Sequence, residues 1–320
     1  MSVMYRDPQV NITLMGGLGN HLFQLAFAHH VTCSSGREVI LNTLNGSVRN
    51  MDNGRPELSV YNLKFTVDHD YKDSFGIFLG RIIGVSIRLN LLPRKSVSSK
   101  MAILFLKFAG NLVGSLKYLK LTSTYYSKDI GFDSWKPKPW NEICTGYFQT
   151  FRWAQTEEVK QQMINLKPEV EEGDVVKYRN LARIEKPLLV HIRLSDYRSE
   201  PKIGILSPNY YKVAISQQLA TGRFGKIWVF SDEIEEVEEY IPREYMHLVR
   251  PIQAVGTNSG SLLEVMRMCH GYVIANSSLS WWSAFLSYNP DCKVIYPNPW
   301  FAGMNTPIDL IPESWTPIAR

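Results

Sequence analysis

The chain of 320 residues, 45% of them hydrophobic, is long enough for two cores of ordinary domain size. Its four cysteines are widely separated and form no Cys-x-x-Cys pair, which argues against a zinc cluster and favours four buried thiols in a reducing compartment. The first residues, 1–10, carry charges and a proline, so neither a signal peptide nor an anchor is expected. No apolar run approaches the roughly 20 residues of a spanning helix, which predicts a soluble or peripheral protein.

The net charge of +5 is unevenly distributed along the chain. Residues 74–128 contain nine Lys or Arg and neither Asp nor Glu, so this segment is strongly basic and the remainder is net acidic. The segment also holds the apolar run Met101–Leu106. Basic and apolar residues together favour contact with anionic lipid or a lipid-linked substrate over nucleic acid. A solvated basic rim over ordinary helices is the alternative interpretation.

The first half of the chain begins as a βαβ unit. A strand is predicted at 10–14, a glycine-rich turn at 16–20, a helix from about 21 to 33 and a second strand at 38–41. A strand, helix, strand order predicts a parallel sheet. Residues 46–137 have poor periodicity and are predicted to form insertions and helices outside this sheet.

The second half alternates more regularly between strands and helices. Apolar runs predict strands at 187–192, 226–230, 246–249, 272–275 and 292–296. Helices are predicted between them at 207–219, 233–240 and 259–269, the first with Ser207 as N-cap and Pro208 after it. This order predicts a doubly wound α/β fold. The polar run 169–174 places a domain boundary near residue 175, which divides the chain into 1–175 and 176–320.

Polar side chains follow three of these predicted strands. Ligands of open parallel sheets bind beyond the carboxyl ends of the strands, so we expect one crevice lined by His191, Arg193, Asp196, Ser231, Asp232, Asn276, Ser277 and Ser278. The last three residues stand between an apolar run and the pair Trp281-Trp282, which is predicted to pack in the core. Hydroxyls and main-chain amides at the start of a helix, beside one guanidinium, suit a phosphate group.

The glycine turn does not fit the common nucleotide cofactors. Gly17-Leu18-Gly19 is followed by Leu22 where a dinucleotide site needs a third small residue, and the second strand ends without a carboxylate. No Gly-Lys-Ser/Thr of a P-loop follows either. The turn is therefore predicted to let backbone approach a ligand, with a simple βα turn as the alternative.

Two other motifs are assigned to ordinary structure. Asp68-His69-Asp70 resembles a metal-binding Asp-x-Asp, yet no clear strand precedes it, so a solvated loop is predicted. The sequence contains no Gly-x-Ser-x-Gly elbow, so a catalytic triad is not predicted.

Four blocks of sequence together resemble a known enzyme family. They are Gly16–Gln24, His191–Tyr197, Phe230–Asp232 and Ile274–Trp282. In this order they resemble the inverting α-1,2-fucosyltransferases of glycosyltransferase family 11. The resemblance implies a GT-B-like pair of Rossmann-type domains facing a central cleft, with the acceptor bound on the N-terminal side and a GDP-sugar on the C-terminal side. It further implies transfer of L-fucose from GDP-β-L-fucose to a galactose 2-hydroxyl, without a metal or other cofactor.

The resemblance also implies roles for individual residues. Arg193, Asp196 and Asn20 would be catalytic, with Arg193 stabilising the departing GDP. The donor would be bound by Gly17, Gly19, His191, Arg193, Ser231, Asp232, Glu264, Asn276, Ser277 and Ser278. Asp196 and Asp232 are both candidates for the general base, and Asp196 could instead orient Arg193.

The chain departs from the family pattern at three places. Leu194 stands where a second arginine is usual, and His21 with Leu22 replaces residues on the acceptor side. Leu262 occupies the place of an aspartate that pairs with guanine, which leaves Glu264 as the nearest carboxylate. Another GDP-sugar transferase and a non-catalytic nucleotide- or glycan-binding protein therefore stay as alternatives.

The expected setting is the bacterial cytoplasm, with peripheral contact at the inner membrane face. The substrates would be precursors of lipopolysaccharide or another surface polysaccharide, and such precursors are commonly lipid-linked. The basic segment 74–128 would then contact anionic lipid.

Overall fold

A computed structural model describes residues 8–43, 51–52, 55–68, 122–127, 130–139, 141–169, 173–253 and 258–320. The chain divides into two compact units. Unit 1 comprises residues 1–59, 63–163 and 307–310, and unit 2 comprises residues 60–62, 164–306 and 311–320. The chain therefore changes unit between Met163 and Ile164, before the predicted boundary near 175. The polar run 169–174 instead leads into a helix, Gly173–Glu185, that buries Val175 and Ala182 within unit 2.

Unit 1 contains a five-stranded parallel sheet. Its strands are β1 (Val10–Leu14), β2 (Val39–Thr43), β5 (Thr66–Asp68), β6 (Thr122–Tyr126) and β7 (Asn141–Thr145), in the order β5-β2-β1-β7-β6. A separate antiparallel pair is formed by β3 (Met51–Asp52) and β4 (Arg55–Pro56). The helices are α1 (Leu18–Ser35) and α2 (Glu157–Ile164), with 3-10 turns at Glu57–Val60 and Phe151–Ala154.

Helix α1 is longer than the predicted 21–33 and is the central helix of unit 1. Nearly every residue from Leu18 to Val31 is buried, as expected of a helix that is apolar on most of its faces. It ends at Gly36, whose φ of 69° lies in the left-handed region and whose N–H donates to the Thr32 carbonyl.

The prediction that residues 46–137 lie outside the sheet is wrong for two strands. β5 pairs with β2, and β6 pairs with β7. Asp68 is accordingly the last residue of a strand and not part of a solvated loop, whereas His69 and Asp70 lie outside the described residues. The basic segment 74–128 also lies outside them, apart from 122–127.

Unit 2 contains a six-stranded parallel sheet. Its strands are β8 (Leu188–Ile192), β9 (Ile227–Ser231), β10 (Val249–Pro251), β11 (Gly271–Val273), β12 (Lys293–Asn298) and β13 (Thr316–Ala319), in the order β10-β9-β8-β11-β12-β13. The helices are α3 (Gly173–Glu185), α4 (Pro208–Leu219), α5 (Ser259–Arg267) and α6 (Ser278–Phe285). Short 3-10 segments span Asp196–Ser199, Ile234–Tyr240 and Arg243–Leu248.

The predicted strand 246–249 is mostly helical turn. Tyr245 N–H donates to the Pro242 carbonyl at 3.0 Å and closes a 3-10 segment, so the strand begins only at Val249. The predicted acidic helix 233–240 is also 3-10 in form. Strand β13 was not predicted.

Both large sheets are parallel, and each is accompanied by helices. The predicted α/β class with two Rossmann-type domains is confirmed. β8 is buried at every position, and Trp281 and Trp282 are fully buried, which confirms their assignment to the core. The expectation of four buried thiols holds for Cys144 and Cys269 but is wrong for Cys33, which is exposed, and for Cys292, which is half-buried. Within the described residues, no helix is both long and apolar enough to cross a membrane.

Helix α4 offers a direct test of local capping. Its N-cap Ser207 accepts a hydrogen bond from the Tyr210 N–H, with Pro208 in the first turn, as predicted. Ser207→Ala is expected to lower the free energy of unfolding by about 1 kcal/mol, as measured by denaturant titration. Ser207→Asp, which keeps an acceptor at this position, should retain most of the stability; an equal loss in both variants would contradict the capping role.

Candidate active site

The candidate site lies at the carboxyl ends of three adjacent strands in unit 2. β8 lies between β9 and β11 in the sheet, and all three run parallel. Arg193 follows β8, Asp232 follows β9, and Ser277 follows β11. This edge of a parallel sheet is where ligands usually bind.

Arg193 is held on one edge of its guanidinium. Its Nε donates to Asp196 Oδ1 at 2.9 Å and lies 3.3 Å from Asp232 Oδ2, and about a third of the side chain is exposed (34%). Within the described part of the chain, Nη1 and Nη2 form no hydrogen bond. Burial acts to lower the Arg193 pKa, but the Asp196 hydrogen bond and the charge of Asp232 outweigh it and raise the pKa. Arg193 is therefore a fixed, permanent cation with one edge open to a ligand.

Asp232 organises the turn that carries Arg193. Its carboxylate accepts the N–H of Leu194 at 2.9 Å and, from Ser195, both the N–H at 3.0 Å and the hydroxyl at 2.5 Å. Burial acts to raise the Asp232 pKa, but these hydrogen bonds and Arg193 outweigh it and hold the pKa below its usual value. Such a carboxylate is a weak proton acceptor, so Asp232 positions the turn better than it serves as a base.

Tyr197 was not among the predicted site residues, although it directly follows Asp196. Its hydroxyl donates to the Asn276 carbonyl at 3.2 Å, and its ring centroid lies 5.8 Å from the Arg193 guanidinium carbon. Burial raises its pKa to about 12, while a hydrogen bond with the Ser277 side chain acts in the opposite direction. Tyr197 thus connects the turn after β8 to the turn after β11.

Asn276 mainly supports a neighbouring loop. Its Nδ2 donates to the carbonyls of Ile203 and Gly204 at 3.1 and 3.2 Å. Arg320 donates to the same two carbonyls, so two side chains hold this loop. The amide nitrogen of Asn276 therefore has a structural role, and the role of this residue in donor binding stays a prediction.

Ser277 and Ser278 begin helix α6. Ser277 is its N-cap residue, and the Ser277 hydroxyl forms no capping bond to the helix. Ser277 is largely buried and Ser278 is half-buried. The first N–H groups of a helix have no partner within it, and they carry its positive dipole end, which favours an anion at this position.

His191, the fourth residue of β8, is a neutral group beside Arg193. It is 6% exposed, and its Nδ1 has no hydrogen-bond partner among the described residues. Burial lowers its pKa to about 4, and the charge of Arg193 lowers it further, against the effect of Asp232. The imidazole is therefore uncharged at neutral pH.

Two residues predicted to bind the donor form hydrogen bonds or ion pairs with other residues of the protein. Glu264 is buried in an ion pair with Arg267 at 2.5 Å and accepts the Tyr288 hydroxyl at 2.6 Å. The prediction that Glu264 binds the donor is not supported, because a buried Arg267 needs this counter-charge. Ser231 is the last residue of β9, and its hydroxyl accepts the Glu233 N–H at 3.0 Å.

The predicted residues of unit 1 lie at the start of α1. Gly16 has a φ of 81°, and a Cβ there would approach Asn20 Nδ2 to 2.3 Å, so the turn requires glycine. Asn20 Oδ1 accepts a hydrogen bond from Gln149 Nε2 at 2.7 Å. The Leu18 N–H donates to Glu57 Oε2 at 2.7 Å, which places a carboxylate at the helix N-terminus. A phosphate at the same position would be repelled, although Gly17 and Gly19 still shape the turn.

Comparison with known proteins places the chain in a family. The family described as Glycosyl transferase family 11 matches residues 9–304. The protein belongs to glycosyl transferase family 11. This family 11 enzyme is therefore a glycosyltransferase, and the predicted family is confirmed.

Two relatives from Escherichia coli are similar to this chain along nearly all of its length. An alpha-1,2-colitosyltransferase is 28% identical over 96% of this chain and 98% of the relative. The O-antigen biosynthesis glycosyltransferase WbnK is 25% identical over 94% of this chain and 98% of the relative. Among solved structures, fucosyltransferase NodZ from Bradyrhizobium is 13% identical, covers 88% of this chain and 93% of its own, and has a TM-score of 0.49.

The pH dependence of stability tests the burial of His191. Its folded-state pKa of about 4 lies below the ordinary histidine value of 6.5, so the unfolded chain binds an extra proton between these two pH values. Stability from this group is complete above pH 6.5 and decreases as the pH falls toward 4. His191→Gln should weaken that decrease, measured by denaturant unfolding at pH 7 and pH 5. His247→Gln, at an exposed imidazole, is the control; the same slope in His191→Gln and the wild type would contradict the burial.

Proposed function

We propose that this glycosyltransferase transfers L-fucose from GDP-β-L-fucose to the 2-hydroxyl of a galactose, with inversion, during synthesis of a bacterial surface polysaccharide. The observation that carries the proposal is the open edge of Arg193. Asp196 and Asp232 engage Nε, so the two terminal nitrogens can face a diphosphate. Membership of family 11 and the name of the α-1,2 relative support the class of linkage.

The leaving group explains why this geometry suits glycosyl transfer. When the bond between sugar and phosphate breaks, negative charge develops on the departing nucleoside diphosphate. A planar guanidinium binds two phosphate oxygens at once, and the N-terminus of α6 with the Ser277 and Ser278 hydroxyls supplies further donors. Preorganised donors of this kind stabilise developing charge at little reorganisation cost.

Position 194 determines how many cations the turn after β8 can supply. Leu194 is 1% exposed and packs in the hydrophobic core of unit 2 with Leu206 and Val190. Leu194 therefore adds no second guanidinium beside Arg193, and Arg198 in the following 3-10 segment pairs with Glu236. We assign Arg193 as the cation of this turn that faces the ligand. We propose that Arg193, the helix dipole and the hydroxyls together replace a metal ion in this role.

Asp196 is the better placed of the two candidates for the general base. Its side chain is 46% exposed, against 16% for Asp232. Asp232 accepts three hydrogen bonds from the turn in addition to its contact with Arg193. We assign proton acceptance to Asp196 and positioning of the turn to Asp232. Asn20 is proposed to contact the transferred sugar.

Colitose is a second candidate for the transferred sugar, because one relative is named a colitosyltransferase. Colitose lacks the 3-hydroxyl of L-fucose and is otherwise the same sugar. Comparing kcat/KM for GDP-fucose and GDP-colitose with one galactoside acceptor separates the two donors. GDP binding without turnover of any donor would instead support a non-catalytic binding protein.

The polysaccharide role leads to a proposal about location. A relative named for O-antigen biosynthesis supports a glycan acceptor, and we propose that this acceptor is lipid-linked and that the enzyme works at the cytoplasmic membrane face. The basic segment 74–128 would contact anionic lipid. Flotation with vesicles of phosphatidylglycerol should show binding at low salt that is lost at high salt; absence of binding at low salt would remove this part of the proposal.

Substitution of Arg193 tests the proposed function directly. Arg193→Ala should reduce transfer from GDP-fucose by about 10²- to 10³-fold, as expected when one preorganised donor to a developing charge is lost. Arg193→Lys should recover only part of the rate, because an ammonium cannot bind bidentately. Arg223→Ala, at an exposed arginine of the same unit, is the matched control. Near-normal turnover in Arg193→Ala, with folding verified by circular dichroism, would contradict the phosphate role.

A further inference from the structure

Unit 2 contains a cavity at the edge of its sheet opposite to the transfer site. The cavity has a volume of about 520 Å³, and its lining includes Lys167, Arg179, Arg183, Glu264, His270 and Tyr288. The His270 N–H donates to the Pro187 carbonyl at 2.8 Å, directly before β11 and β8 begin, so the cavity lies at the amino ends of these strands. Arg193 and Ser277 follow the carboxyl ends of the same two strands. A ligand in this cavity would therefore occupy a second site.

Three cationic side chains line the cavity. Lys167 and Arg183 are exposed and Arg179 is half-buried. Within the described part of the chain, the side chains of Lys167 and Arg183 form no hydrogen bond or ion pair. Arg179 and Arg183 are four residues apart on α3, a spacing at which like charges destabilise a helix. An anion between the cations would remove this repulsion.

The helix dipole does not explain this group of cations. Arg183 stands in the last turn of α3, where the dipole alone favours a positive charge. Arg179 lies one turn earlier, and Lys167 lies between α2 and α3, outside any helix. The dipole effect is confined to the last turn, so two of the three cations need another explanation.

The acid in the lining is already neutralised. Glu264 pairs with Arg267 at 2.5 Å and accepts the Tyr288 hydroxyl at 2.6 Å. Burial lowers the pKa of His270, and the charge of Lys186 lowers it further, so this imidazole is neutral at neutral pH. The charge presented by the lining is therefore that of its three cations.

The rest of the lining is apolar and held in place. Arg267 donates to the carbonyls of Ile164 and Leu166 at 2.7 and 2.9 Å, which fixes the segment that leads to Lys167. The Arg267 guanidinium carbon lies 4.3 Å from the Tyr288 ring centroid, and Tyr288 is still 43% exposed. The apolar lining residues are Pro168, Val175, Ala182 and Met268. Sites for small molecules usually enclose about 300–1,000 Å³ and combine apolar walls with a few polar groups, so the cavity suits an organic ligand with an anionic group.

We propose that this cavity binds the phosphate group of an organic phosphate. A guanidinium binds two phosphate oxygens at once, and an ammonium adds a point charge, so Arg179, Arg183 and Lys167 together match a dianion. A single carboxylate would leave more of their charge uncompensated. The apolar residues and the Tyr288 ring would contact the organic part of the ligand. Soluble metabolites and lipid headgroups both present this chemistry.

Phosphate binding in the absence of the transfer-site cation tests this inference. The purified full chain with Arg193→Ala is titrated with glycerol 3-phosphate, and with glycerol as the uncharged control, by ligand-observed NMR. Saturable binding of glycerol 3-phosphate alone is expected. Adding Arg183→Gln or Lys167→Gln should weaken it about tenfold, as the loss of one hydrogen bond to a charged group implies. Arg243→Gln, at an exposed arginine of the same unit, is the matched control and should leave the affinity unchanged.

Cosedimentation with vesicles of phosphatidylglycerol identifies the source of the phosphate. A several-fold loss of vesicle binding in Arg183→Gln and Lys167→Gln, but not in Arg243→Gln, would assign a lipid headgroup. Unchanged vesicle binding, together with weakened binding of glycerol 3-phosphate in the same two variants, would assign a soluble phosphate. Both substituted residues are exposed, and circular dichroism verifies that the variants fold. The site is overturned if neither glycerol 3-phosphate nor vesicle binding depends on Arg183 and Lys167.

Discussion

The carboxylate of Asp232 is the contact on which the transfer site depends. It follows one strand, and it accepts hydrogen bonds from two successive residues of the turn that follows the next strand, Leu194 and Ser195. The direction of Arg193 is a consequence of this arrangement, because its Nε lies against Asp232 and Asp196 together. Tyr197 extends the connection to a third strand through the Asn276 carbonyl. Three strand ends are thus fixed relative to one another by side chains, as a preorganised electrostatic site requires.

Much of the fold could be read from the chain because its signals are local. β1 has its predicted bounds, and α4 begins at Ser207 with Pro208 as expected, since short apolar runs and capping residues act within a few positions. The sequence did not predict elements that form only by pairing with residues far away in the chain. β5 has only three residues and is recognisable only through its pairing with β2.

The candidate site shows the same division. The order of Arg193, Asp232 and Ser277 after parallel strands was sufficient to predict that they share one edge. The role of each residue was not predictable, because the sequence does not show whether a carboxylate contacts a ligand or a backbone amide. Glu264 was assigned to the donor by its position in the sequence. In the structure it pairs with Arg267, three residues further along the helix, and the two buried charges neutralise each other. Tyr197 was overlooked because a tyrosine beside a charged motif carries no distinct sequence signal.

The guanidinium of Arg193 has two separate hydrogen-bonding edges, and the turn uses only one of them. A lysine in this place has a single ammonium, which could contact either the two carboxylates or an incoming anion, but not both in the same geometry. Leu194, the adjacent residue, is buried in the core and supplies no second cation for the lost contact. The burial of one leucine thereby makes the planar shape of the adjacent arginine, and not merely its charge, a requirement of the site.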